Sequence, residues 1–157
     1  MNLIQKTSIL SFFAILISPL IQADENYRPV KDTVVISECG ACHMTFQPAM
    51  LPQRSWIAIM SDLENHFGED ALLSEQTNQY IKDYLVENAA DQQWVGARLL
   101  RGLSNSITPL RITELPYWEK EHNEEVSTRE WNNPKVGSKA NCVACHRHAE
   151  RGFYDDD

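Results

Sequence analysis

Positive charge is scarce in this chain. Against 22 Asp and Glu stand 14 Lys and Arg, a formal charge of −8. Such a balance argues against nucleic acid or an anionic membrane surface as a partner, since both require clustered cations. Long apolar runs are missing as well. The best stretch, Ile9 to Ile17 with Ser11 inside it, is cut off by Ser18 and Pro19, well short of the about 20 residues that span a bilayer. No strand alternation flanks either cysteine pair, so a thioredoxin-like redox motif would lack its βαβ setting. There is no internal repeat beyond the two pairs, and no cysteine stands outside them.

What is present is concentrated in those pairs. Cys39-Gly40-Ala41-Cys42-His43 and Cys142-Val143-Ala144-Cys145-His146 are two copies of Cys-x-x-Cys-His. This is the attachment pattern of a c-type haem. Each thiol adds across a vinyl group, the two-residue gap wound as one turn holds both sulfurs at the vinyl separation, and the following histidine reaches the iron. A zinc site built from two Cys-x-x-Cys knuckles is the main competitor, but the gap between the pairs is wide for a zinc ribbon and the histidines would be incidental. Disulfide chemistry is the other. Two copies with no cysteine left over predict two covalently bound haem c groups on Cys39, Cys42, Cys142 and Cys145, with His43 and His146 as the proximal iron ligands.

The first residues agree. Lys6 gives a positive n-region, the short apolar core follows, and Ile21-Gln22-Ala23 ends in a small residue before the polar Asp24-Glu25-Asn26. Residues 1–23 therefore read as a secretory signal peptide and the compartment as a periplasm, where covalent haem attachment takes place after export. Removing them takes one of the 14 cations and no acid, leaving 13 against 22, or −9, in about 134 residues. That length suffices for one compact dihaem unit of two haem-centred lobes, 24–90 and 91–157. A basic patch on a redox partner would complement its charge.

The expected fold is mainly α, a small cytochrome c-like helical protein with long loops. A short helix should begin near Thr33 and carry the first motif. Pro48 and Pro52 mark a turning stretch. Trp56, Met60, Leu63 and Phe67 recur at helical spacing, which predicts an amphipathic helix over 53–67 with Gly68 as its cap. Ser74 should cap a second helix with a stripe of Tyr80, Ile81, Tyr84, Leu85 and Ala89. A short helix is expected over 94–103, an extended piece over 107–115, and a helix from Pro116 through His122. The second motif is expected in a helix from Asn141 to Arg151, closed by Gly152. Asp155-Asp156-Asp157 reads as a solvated tail.

Each iron needs a second axial ligand. Met44 and His148 lie too close to their own proximal histidines to cross the haem, although either could reach the other one. Met50 sits in a proline-flanked loop of the kind that carries methionine ligands in small cytochromes, and Met60 fits the core. His66 lies at the edge of the predicted apolar stripe, and His122 follows Trp118 by one helical turn. These two are the leading distal candidates, His66 opposite His43 and His122 opposite His146, with a crossed pairing still open.

The chain also resembles the small periplasmic dihaem cytochromes c over nearly its whole mature length. The similarity lies in Glu38-Cys39-Gly40-Ala41-Cys42-His43, Leu51-Pro52 and Trp56. It continues in His66-Phe67-Gly68-Glu69-Asp70-Ala71, Glu121-His122, Ala140-Asn141-Cys142, Cys145-His146, Ala149 and Gly152. The resemblance implies two low-spin haems with histidine on both sides. It implies electron exchange with a membrane b-type cytochrome or a small oxygen-binding c-type haem protein. The expected function is thus a one-electron carrier rather than an enzyme. The alternative, a peroxidase or oxygen binder, needs one open iron position and a distal acid–base residue.

Overall fold

Asp32 starts the first helix, α1 (Thr33–Cys39), by accepting the Val34 and Val35 N–H groups on one carboxylate oxygen at 3.0 Å each. The Tyr80 hydroxyl donates to the other oxygen at 2.5 Å, tying this cap to a distant helix. The computed structural model describes residues 26–154, so the signal-peptide reading of 1–23 and the acidic tail at 155–157 lie outside the described residues. Within them the chain forms six α-helices and six short 3-10 turns. There is no strand among the described residues, only two isolated bridges, and none of these helices is long and apolar enough to cross a membrane. The mainly helical expectation is met.

The centre is the packing of α2 (Gln53–Met60) on α3 (Glu75–Glu87). Ile81 and Leu85 supply the buried face of α3, Trp56 and Met60 that of α2, and Leu63 follows into the same cluster. Each such side chain removed from water contributes about 1.5–3 kcal/mol. Ser74 caps α3 through the Thr77 N–H at 3.1 Å, as its position suggested. The stretch between Pro48 and Pro52 is a 3-10 turn (Pro48–Met50), held down by the Trp56 indole N–H, which donates to the Pro48 carbonyl at 2.8 Å. Asp91 reaches back to cap α2 by accepting the Gln53 N–H at 3.0 Å.

The second half is shorter in its elements. α4 (Gly96–Leu99) covers only part of the expected 94–103, and Trp94 is 91% exposed. The extended piece expected over 107–115 is instead a 3-10 turn (Ile112–Glu114). The Glu114 carboxylate accepts the Leu110 and Arg111 N–H groups at 3.0 and 3.2 Å, which closes the backbone locally and leaves no ladder to extend. α5 (Pro116–Glu125) begins on its proline and includes His122. α6 (Thr128–Trp131) was not anticipated, although Ser127 and Glu130 form a capping box.

Contacts across the chain fix where the second motif sits. Gln47 is fully buried, and its Nε2 donates to the Ala149 carbonyl at 2.8 Å. Its Oε1 accepts the Tyr154 hydroxyl at 2.6 Å. The Tyr27 N–H donates to the Gly152 carbonyl at 2.8 Å, bringing both ends of the described chain together. Gly152 has φ +84°, and a Cβ there would stand 2.0 Å from the Tyr27 carbonyl oxygen, so only glycine fits this crossing. One buried apolar cluster runs from Tyr27 to Trp118.

Candidate haem sites

The first motif begins at the last residue of α1. Cys39 is half-buried, while Cys42 and His43 are exposed on the turn that follows. Burial, and after it the charge of Glu38, raises the Cys39 thiol above its ordinary value. The His43 Nδ1 lies 2.7 Å from the Met44 carbonyl oxygen. A carbonyl can only accept, so Nδ1 carries the proton and Nε2 carries the lone pair.

His66 comes from elsewhere than the sequence reading placed it. The helix expected over 53–67 stops at Met60. The Ser61 hydroxyl turns back to donate to the Ile57 carbonyl at 2.6 Å, and the Asn78 amide of α3 takes the Met60 carbonyl at 3.1 Å. Asp62, at φ −139°, then leaves helical geometry. Leu63–Asn65 is a 3-10 turn, and His66 opens a tight turn in which His66 and Glu69 exchange backbone hydrogen bonds of 2.9 and 3.2 Å. Phe67 and Gly68, its central residues, both have positive φ, 58° and 101°. Two positive φ values are the mark of a primed turn, so Gly68 serves this turn rather than a helix cap. Such a conformation strains the phenylalanine. Phe67 packs edge-on to His66 at 4.8 Å, and the Arg111 guanidinium lies 4.2 Å above its ring. The turn brings the His66 ring to 6.2 Å from that of His43, at an interplanar angle of 24°. Burial, and after it the neighbouring His43, lowers the His66 pKa and favours the neutral imidazole, the form that binds metal.

At the second site the expected helix over 141–151 is absent. Two 3-10 turns, Cys142–Ala144 and Ala149–Arg151, take its place. Asn141 does not cap: its amide donates to the Val136 carbonyl at 2.9 Å. The segment has little apolar surface to bury along a regular helix, and a short helix without such a face is marginal. Gly152 does close it, in the left-handed conformation. Burial pushes the Cys142 thiol up to about 11, while Cys145 is exposed.

His122 stands at the end of the second turn of α5. Its Nδ1 lies 2.9 Å from the Trp118 carbonyl oxygen, again directing the ring proton to Nδ1. Its ring stacks on the Trp118 indole at 3.9 Å and 18°. Trp131 lies 6.1 Å away on α6. The His146 ring is 6.2 Å from that of His122, but at 78°, and Tyr154 meets His146 edge-on at 5.4 Å. Burial, and then Cys142 and Tyr27, raises the Tyr154 phenol far above its ordinary value.

Both separations can be tested against a shared iron. With metal–nitrogen bonds of about 2.0–2.1 Å and each nitrogen about 1.2 Å from its ring centre, two imidazoles bound on opposite sides of one metal would place their centroids about 6.4 Å apart. The observed 6.2 Å in both pairs fits. The four cysteines are unbridged. Among the described residues no group of three or more His, Cys, Asp or Glu is gathered around one point, as a zinc knuckle pair would require. Of the other candidates, Met60 is core, His148 is exposed, and buried Met50 takes the Tyr154 hydroxyl on its sulfur at 3.6 Å. The sequence reading missed Gln47, Phe46, Trp131 and Tyr154. The stacking of Trp118 on His122 was signalled only by their spacing of four.

A family model described as dihaem cytochrome c matches residues 35–154. A dihaem cytochrome c from Rhodobacter sphaeroides is 52% identical over 80% of this chain and 98% of that one, with a TM-score of 0.75. The crystal structure of DHC purified from Rhodobacter sphaeroides is 48% identical over 80% and 98%, at 0.67. A dihaem cytochrome of type c from Shewanella baltica is 37% identical over 78% and 86%, at 0.64. No curated protein sequence matches. Two Cys-x-x-Cys-His motifs, two histidine pairs at iron-sharing distance and these likenesses have one reading: the chain belongs to the dihaem cytochrome c family, whose members carry two haem groups.

Proposed function

We propose that this protein is a periplasmic one-electron carrier whose two haems are each closed on both faces by histidine. His43 and His66 would hold one iron, and His122 and His146 the other. Cys39 with Cys42, and Cys142 with Cys145, would bind the two haems covalently. The observation that carries this reading is the 6.2 Å ring separation found independently in both pairs. When bound, each haem supplies an iron that takes up and releases one electron. The protein's own part is to keep both axial positions filled. The Met44 and Trp118 carbonyls fix the tautomers of His43 and His122, so that Nε2 is the ligating nitrogen. Burial, and after it His43, lowers the His66 pKa toward the neutral form that can ligate. Closed axial positions favour relay over substrate turnover. The net charge of −8 suits a basic docking surface. The family resemblance points to a membrane b-type cytochrome or a small oxygen-binding c-type haem protein as partner.

The test is substitution of the distal candidates. His66→Ala should leave covalent haem content unchanged, because attachment uses the cysteines, and should render one haem high-spin and open to carbon monoxide. His122→Ala should do the same to the other. Native protein with a high-spin iron at full haem content, or variants that stay closed to carbon monoxide, would refute the ligand assignment.

A further inference from the structure

The two histidine pairs have the same separation but different orientation. His43 and His66 lie within 24° of parallel, whereas His122 and His146 are crossed at 78°. What holds each plane also differs. The His66 ring meets Phe67 edge-on at 62°, and His43 meets Phe46 at a tilt of 33°. Among the described residues neither lies face to face with a side chain other than its partner histidine. His122 lies face to face with Trp118 at 3.9 Å, and its Nδ1–H goes to that residue's own carbonyl. Trp118 is itself buried and packs at 6.0 Å against Trp131. The Lys139 ammonium stands 5.7 and 5.3 Å from the two indole rings, a cation–π contact that ties the pair together from the loop before the second motif.

Resting on the bis-histidine reading above, we propose that Trp118 is a positioning residue that locks the His122 plane across that of His146, making the second haem electronically distinct and the first of the two to accept an electron. On a bound haem, each of these imidazoles would donate π density to the iron d orbital that its ring plane selects. Parallel rings would raise the same orbital and separate it from its partner, stabilising the oxidised iron's vacancy there. Crossed rings would raise one orbital each and leave the two nearly equal. The oxidised state would then lose that stabilisation, and the potential would rise. Axial ligands and their supporting contacts are the levers by which protein sets haem potential, and here the lever is a ring plane set by an indole.

Electron paramagnetic resonance of the oxidised full-length holoprotein tests this. The native protein should give two low-spin signals, one rhombic with three resolved lines and one strongly anisotropic with a single low-field feature. His66→Ala should remove the rhombic signal and leave the anisotropic one, which assigns it to the second haem. Trp118→Leu should move the anisotropic signal toward rhombic and lower the higher of the two midpoint potentials, while the rhombic signal stays in place. Trp118→Phe, which keeps a flat ring beside His122, should restore the native pattern. Two rhombic signals in the native protein would overturn the crossed geometry while leaving bis-histidine ligation intact. An anisotropic signal unmoved in Trp118→Leu would overturn the role of Trp118. Should that variant lose its low-spin second haem, Trp118→Phe decides: retention of the anisotropic signal supports the stack, and its loss refutes it. A high-spin signal in fully loaded native protein would instead refute the ligation reading.

Discussion

Replacing Gln47 with leucine, nearly the same size and without polar atoms, should cost about 2–4 kcal/mol. Gln47 is fully buried and spans 102 residues of sequence to reach Ala149. The Tyr154 hydroxyl would lose its 2.6 Å acceptor and keep only the Met50 sulfur at 3.6 Å. A buried hydroxyl left with so weak a partner costs about 1–3 kcal/mol. The Ala149 carbonyl would lose the 2.8 Å bond from Gln47 but retain the Gly152 N–H at 2.9 Å. That loss is the ordinary net worth of a hydrogen bond, about 0.5–1.5 kcal/mol. Against the about 5–15 kcal/mol that stabilises a typical domain, the total is a large share. Guanidinium unfolding of native, Gln47→Leu, Tyr154→Phe and double-variant holoproteins would measure it. Since the double variant removes both partners of the bond, its cost should fall short of the sum of the singles by about 1–2 kcal/mol. Costs that add to within about 0.5 kcal/mol, or a Gln47→Leu protein as stable as native, would show that this bond does not anchor the second haem segment.

Three further outcomes are expected. Cys39→Ala with Cys42→Ala should yield protein carrying about one haem per chain by pyridine haemochrome assay, and so should Cys142→Ala with Cys145→Ala; zinc in native protein without visible absorbance would overturn both. Electron transfer to a basic partner should slow as salt rises, since exposed charges are screened beyond about 8 Å at physiological ionic strength, and a salt-independent rate in stopped flow would mean apolar docking. The Asp32 carboxyl is held below its ordinary value chiefly by the Tyr80 hydroxyl and then by the α1 N–H groups. Its contribution to stability is therefore present above the unfolded-state pKa and lost as pH falls through the lowered folded one. The melting-temperature gap between native protein and Asp32→Ala should close in acid, and a gap constant with pH would refute the coupling.

Local rules carried much of the fold. Ser74 capping α3, Pro116 opening α5 and the stripe of Ile81 and Leu85 were legible because caps, fixed proline φ and helical periodicity act within a turn or two. The end of α2 was not. The spacing from Trp56 to Phe67 is helical on paper, but Asn78, from another helix, takes the Met60 carbonyl, and Leu63 is buried after the chain has already turned. His66 was therefore singled out from a helix face that does not exist, and its position comes from a primed turn at Phe67 and Gly68. The second motif failed as a helix for the same kind of reason, since Asn141 is spent on Val136.

By itself the sequence determined the family, the mainly helical class and which histidines deserve attention. Cys-x-x-Cys-His is a local covalent geometry and needs no distant partner to be read. Tertiary structure alone decided which histidine rings face each other, that one pair is near parallel and the other crossed, and that Gln47 ties the segment after the second motif to the core. The two histidine pairings and the Gln47 bond join residues from tens to a hundred positions apart, and spacing along the chain does not encode such meetings.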